Sequence, residues 1–163
     1  VRGSMEDFDR VMDVNVRAVA LGVKAAVASM SEGGSIVITG SVSGLRCDSG
    51  LFAYNASKGA VVNLARAAAL DVAHLGIRVN AVCPGPTKTG MTSATEGQPI
   101  ADIMAARVPL GRFGEPTEIG AAISFLASPA SSFITGVALP VDGGVTSGTG
   151  QWATYGARRA GFG

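Results

Sequence analysis

Charge is scarce in this chain. Of 163 residues, 13 are lysine or arginine and 12 are aspartate or glutamate, leaving a net charge of +1. So even a balance makes no electrostatic case for nucleic acid or an anionic membrane as partner. Histidine occurs once, as His74 at the end of a predicted helix, where it reads as a helix-terminus or surface residue and not as a catalyst. Cysteine occurs twice, and Cys47 and Cys83 have no metal-like spacing. Cys83 falls in a predicted buried strand and Cys47 in a loop, so two reduced thiols are expected in place of a disulfide, as in a cytoplasmic protein. No signal peptide or membrane-length apolar run is visible in the residues given. Nor is there an internal repeat. What the chain has in quantity is apolar residues, 47% of the total, enough to build a core and too many for a disordered chain. Its length suits one domain.

The apolar pattern predicts alternating helices and strands. Met5 to about Met30 reads as helix, with Ser4 as N-cap and Gly33-Gly34 as the stop. Ser35 to Thr39 is a short apolar strand, Ala53 to about His74 a helix ended by Gly76, and Ile77 to Val82 a second strand closed by Pro84-Gly85. Pro86 to Gln98 is predicted as loop, followed by a short helix through Arg107. A helix over Pro116 to Ala127 ends at Ser128-Pro129, and Val137 to Val141 is the last strand. Strands alternating with helices imply βαβ units and a parallel sheet.

Within this frame Ser41, Tyr54 and Lys58 carry chemistry. Tyr54 and Lys58 are four apart, so on a helix they share one face. A free phenol titrates near pH 10 and is a poor base at neutrality, but an ammonium held beside a phenol favours the phenolate. That makes proton exchange near neutral pH feasible. Ser41 follows the Ser35–Thr39 strand, where its hydroxyl could hydrogen-bond a substrate carbonyl beside the tyrosine. A Tyr-x-x-x-Lys pair by itself is common by chance, usually an exposed ring beside a solvated lysine. The serine thirteen residues upstream, at a strand end, makes the combination informative.

The segment Thr39-Gly40-Ser41 through Tyr54-Asn-Ala-Ser-Lys58 resembles the short-chain dehydrogenase/reductase family, and the resemblance runs from about Phe8 to Gly144. Asn15, in Val-Met-Asp-Val-Asn15-Val-Arg-Ala, matches that family's catalytic asparagine. Asn80-Ala-Val-Cys-Pro84-Gly85-Pro-Thr87-Lys-Thr89 matches its nicotinamide-facing segment. Pro109-Leu-Gly-Arg112, Ile134-Thr-Gly136 and Val141-Asp142-Gly-Gly144 follow in the family's order, and the first and last resemble its 3-oxoacyl-carrier-protein-reductase-like branch. The resemblance implies the C-terminal portion of a doubly wound, Rossmann-like parallel α/β sheet. Residues 1–145 would be part of one dehydrogenase domain and 146–163 a glycine-rich tail. It also implies NAD or NADP as cofactor and a small carbonyl or alcohol as substrate. Tyr54 would be general acid and base, Lys58 would assist it and bind the nicotinamide ribose, Ser41 would polarise the carbonyl, and Asn15 would hold a relay water. Pro84, Gly85, Thr87 and Thr89, with Tyr54 and Lys58, would contact the cofactor, Gly85 through close backbone approach. No metal site is implied.

One expected motif is missing. The family's glycine-rich phosphate loop has no counterpart here. Thr39-Gly40-Ser41-Val-Ser-Gly44 imitates its opening, but Arg46 stands where a third glycine belongs, and the place before Tyr54 marks it as the serine segment. The chain starts at Val1 and is read as lacking the family's first strands. Two functional classes follow: an oxidoreductase of which this is the C-terminal part, or a truncated, inactive relative acting as an assembly partner. With those strands absent, Ser35–Thr39 becomes an open edge, and poor solubility or oligomers are expected. The Ala53–His74 helix is apolar nearly all round. It therefore reads as buried on more than one side, in a dimer or tetramer interface with the Met5–Met30 helix, or else as simply rich in alanine. Met91, Ile100, Ile103, Met104 and the Cys47–Phe52 stretch are expected to wall a modest substrate pocket. The tail, with Trp152, Tyr155, Arg158 and Arg159, reads as flexible or as packing on a neighbouring subunit.

Overall fold

In the computed structural model, residues 3–31, 33–93 and 98–148 are described. The tail residues Trp152, Tyr155, Arg158 and Arg159 lie outside them.

The first helical stretch is divided. Ser4 caps α1 (Met5–Met12) by accepting the Asp7 N–H at 3.0 Å, as its position before the apolar period suggests. A π-helical turn (Asp13–Arg17) then separates α1 from α2 (Ala18–Ser29), closed by Ala18 N–H bonding back to Asp13 carbonyl. The chain reverses through Gly33 and Gly34 into β1 (Gly34–Thr39). A 3₁₀ turn over Val42–Gly44 and a loop lead to α3 (Phe52–Val72), which tightens at Ala73–Leu75 and stops at Gly76, in the left-handed region at φ 70°. A residue with a β-carbon is disfavoured in that conformation. β2 (Ile77–Pro84) follows, longer than its apolar run by two residues. The segment read as loop holds a single helical turn, α4 (Gly90–Ser93), before α5 (Pro99–Ala106). α6 (Pro116–Ala127) begins with proline and a reciprocal cap between Glu115 and Glu118, and β3 (Ala138–Val141) completes the described sheet.

The three strands are parallel in the order β1-β2-β3, with Thr39 opposite Val82 and Ala81 opposite Ala138. Side-chain alternation along β2 assigns the two faces. Ile77, Val79, Ala81 and Cys83 join Ile38 of β1 and Val61, Val62, Ala65 and Ala69 of α3 in the core, with Val19, Val23 and Val27 of α2 packed on its margin. On the other face, Arg78 reaches the end of α6. Its guanidinium donates to the carbonyls of Leu126, Ser128 and Ile134 and to Ser131 Oγ, at 2.9–3.2 Å. Asn80, also on that face and buried, donates to Ile134 carbonyl and accepts Val137 N–H, standing in for a backbone unit where β3 begins.

α3 buries one face within the chain. Leu70 on its outer side is 81% exposed, and Asn63, Arg66 and Ala67 are exposed beside it. β1 is an edge strand among the described residues, with α6 and α2 covering its faces but no strand beyond it. Two measurements follow. The isolated 163-residue chain is expected to elute from a size-exclusion column as oligomer or aggregate, and a sharp monomer peak with a cooperative melt would contradict this. Arg78→Ala, which strips a charged donor from three carbonyls, is expected to cost about 2–3 kcal/mol in urea unfolding of the native protein. A loss below about 0.5 kcal/mol would show the knot to be dispensable.

Candidate active site

Parallel strands bring their carboxyl ends to one edge, and all the residues singled out above except Asn15 come from there or from the helix behind it. β1 ends at Thr39 and β2 at Pro84, bound side by side through Gly40 N–H to Val82 carbonyl at 2.7 Å. Beyond β1, the turn Val42–Gly44 lies flat on α3. A β-carbon on Gly44 would fall 2.4 Å from Lys58 carbonyl, so only glycine allows this approach. The glycine that imitates a phosphate loop is thus used for packing.

Lys58 projects from α3 to the strand end, where Nζ donates to Thr39 carbonyl at 3.3 Å. The same ammonium lies 5.7 Å from the centroid of the Tyr54 ring. Ser41, two residues past Thr39, is buried, and its Oγ accepts Ser43 N–H at 3.1 Å. Ser43 in turn donates to Asp48 at 2.8 Å, and Asn55 holds the same loop by donating to Asp48 carbonyl. Asn15 approaches from the π-helical turn, its Nδ2 donating to Ser57 Oγ at 3.0 Å. Ser57, which nothing in the apolar pattern marked out, donates to Tyr54 carbonyl at 2.8 Å. A polar residue on the buried face of an apolar helix was the available signal.

Burial of the Lys58 stem and head lowers its pKa from the ordinary 10.5, partly opposed by the nearby Cys83. Burial pushes the Cys83 thiol up, while its contact with the Ser41 backbone works the other way. Both cysteines are free thiols.

On the β2 side, Pro84 and Gly85 leave the strand with Gly85 N–H bonded to Val141 carbonyl at 3.0 Å. A β-carbon on Gly85 would meet Asp142 Cα at 2.7 Å, so packing against the end of β3 is one demand for glycine here. Thr87 is buried, turns its Oγ1 back on Gly85 carbonyl at 2.9 Å, and pairs with Gly114. Thr89 is exposed at the start of α4, with its N–H bonded to Thr92 Oγ1. Residues Cys47 to Gly50 line a cleft of about 830 Å³ with Phe52, Asn55 and Ala56; its wall is the Asn55 side of α3, one position round from Tyr54.

Residues 1–146 match the family model described as enoyl-(acyl carrier protein) reductase. The chain is 46% identical over 149 residues to meso-2,3-butanediol dehydrogenase of Serratia marcescens, covering 91% of this chain and 59% of that protein. It is also 46% identical over 157 residues to 2-(S)-hydroxypropyl-CoM dehydrogenase 3 of Xanthobacter autotrophicus, covering 89% and 62%. The crystal structure of a short chain dehydrogenase family protein from Francisella tularensis subsp. tularensis SCHU S4 aligns with a TM-score of 0.82 at 32% identity, over 91% of this chain and 67% of that one. The chain belongs to the short-chain dehydrogenase/reductase family. It spans about three-fifths of the length of the two curated relatives.

The depressed Lys58 pKa has a checkable sign. Between its folded value and the unfolded 10.5, the unfolded chain binds more protons, so this group's contribution to stability rises with pH there. In pH-dependent acetylation read by mass spectrometry, Lys58 is expected to reach half-reactivity below the ordinary lysine value. Half-reactivity at or above that value would show that burial does not dominate.

Proposed function

We propose that the protein carrying this chain is an NAD- or NADP-dependent oxidoreductase that interconverts a secondary alcohol and a ketone, with Tyr54 as general acid and base. The observation that carries this reading is the placement of Lys58 Nζ, 5.7 Å from the Tyr54 ring and bonded to Thr39 at the strand end that leads to Ser41. The printed names of the two relatives, a butanediol dehydrogenase and a 2-hydroxypropyl-CoM dehydrogenase, describe secondary-alcohol chemistry and support it.

In reduction Tyr54 gives its phenolic proton to the substrate oxygen, and in oxidation it takes the proton back. Lys58 places a positive charge beside the phenolate that forms. Ser41 accepts a backbone N–H, so its own proton can turn to the substrate carbonyl and orient it. Asn15 holds a water that links Lys58 to solvent. A nicotinamide, when bound, supplies or accepts the hydride. Pro84, Gly85 and Thr87, braced by the Gly85–Val141 bond and the Thr87–Gly114 pairing, would hold the nicotinamide half together with Tyr54, Lys58 and Thr89. A glycine-rich turn for the pyrophosphate is not found among the described residues.

The protein works as a homo-oligomer in the cytoplasm on this reading. Support comes from a groove between α2 and α3 lined by Ala20, Val23, Val27, Leu64 and Ala68, beside the exposed Leu70 and Leu21, and from the two free thiols. The residues at the carboxyl edge of the sheet would face the substrate, which the resemblance to 3-oxoacyl reductases extends to thioesters.

Tyr54→Phe in the native protein is expected to lower kcat about a thousandfold while cofactor affinity stays within about twofold. The check is steady-state turnover of butane-2,3-diol, propan-2-ol and cyclohexanol, with cofactor binding by fluorescence titration. Near-normal turnover in this variant would remove Tyr54 from the mechanism. No cofactor binding by the native protein would leave the assembly-partner reading.

A further inference from the structure

Ser57 lies on α3 between Tyr54 and Lys58, and its side chain is 0% exposed. A hydroxyl sealed from water must find its partners inside the protein. Ser57 uses both of its capacities. Its Oγ–H donates to Tyr54 carbonyl at 2.8 Å, a bond within the helix, and the oxygen accepts Asn15 Nδ2–H at 3.0 Å from across the helix interface. The first bond fixes where the proton lies and leaves the oxygen's lone pairs to accept, one of them from Asn15. Asn15 sits in the π-helical turn Asp13–Arg17, a rare winding that concentrates at functional sites.

We propose that Ser57 is a positioning residue for the Tyr54–Lys58 pair: it bolts the Asn15 carboxamide to the turn of α3 that carries both side chains. The inference rests on the reading of Tyr54 as acid and base. Fully buried, Ser57 cannot touch substrate, so its influence passes through Asn15. One amide N–H of Asn15 is committed to Ser57, which sets the plane of the carboxamide and the direction of Oδ1. Without the hydroxyl, a half-buried N–H is left with no acceptor, and the amide must rotate to find another.

Ser57→Ala, Asn15→Ala, the double variant and Tyr54→Phe, made in the native protein, separate the possibilities. They are assayed with butane-2,3-diol, propan-2-ol and cyclohexanol across the neutral to alkaline range. Ser57→Ala is expected to lower kcat about tenfold with KM for the cofactor within about twofold, and to displace the midpoint of the kcat–pH profile. The double variant is expected to be no slower than Asn15→Ala, because Ser57 acts through Asn15. Wild-type kcat and pH profile in Ser57→Ala would overturn the proposal, as would a double variant showing the product of the two single losses. Should Ser57→Ala give no cooperative melt, Ser57→Cys keeps the volume with a poor hydrogen-bonding group and is read by the same criteria. Turnover retained in Tyr54→Phe, or none of the three alcohols turned over by the wild type, would overturn the acid–base reading and this inference with it. An inactive Tyr54→Phe beside an unaffected Ser57→Ala would overturn this inference alone.

Discussion

The contact on which the site depends is that between Gly44 and the Lys58 turn of α3. With 2.4 Å between a notional β-carbon and Lys58 carbonyl, any side chain at 44 would lift the Val42–Gly44 turn off the helix. The serine segment and the Tyr-Lys helix come from different elements, and nothing in their sequence separation holds them together. Close backbone packing does, and it brings Thr39 carbonyl within reach of Lys58 Nζ. The Gly40–Val82 bond then ties this assembly to the end of β2, so the Pro84–Thr87 segment is set in the same frame. Displacing the Gly44 turn would disturb the lysine, the serine and the Pro84–Thr87 segment together, because close-packed interiors transmit strain.

Burial gives these contacts their electrical character. Lys58 gives up hydration to reach Thr39, and its proton is held less tightly as a result. Cys83, sealed beneath Gly40 and Ser41, is pushed by burial toward the neutral thiol. A charge on a part-buried stem is less screened than one on the surface. By contrast, the exposed Arg112–Glu118 pair, in which Glu118 falls to about 2, anchors the start of α6 and lies outside this circuit.

Local signals were good guides where local chemistry decides. α6 occupies the Pro116–Ala127 span that the Ser-Pro stop closes, and Ser4 caps α1 as its position before the apolar period implies. The Tyr54–Lys58 pairing follows from helical spacing alone. The π-helical turn was invisible, because α and π windings differ by one residue in hydrogen-bond step and present similar apolar patterns. α4 was hidden in a loop by its brevity. The resemblance marks Gly85 as a place for cofactor approach, and the fold shows a further demand on it from Asp142, 57 positions away in sequence. The role of Ser57 leaves no local trace for the same reason: its partner Asn15 lies 42 residues upstream.

The sequence by itself determined the class of the chain, since the serine, tyrosine and lysine stand in register with strand and helix signals that depend only on neighbours along the chain. It determined equally the parallel α/β plan, through apolar strands alternating with helices. Tertiary structure alone decided which polar groups meet. That Lys58 ends on Thr39, that Asn15 binds Ser57, and that Arg78 gathers the carbonyls at the end of α6 and beyond it are outcomes of strand register and helix docking. Such meetings join residues far apart in the chain, where no periodicity can record them, and burial makes each one obligatory once the core has closed.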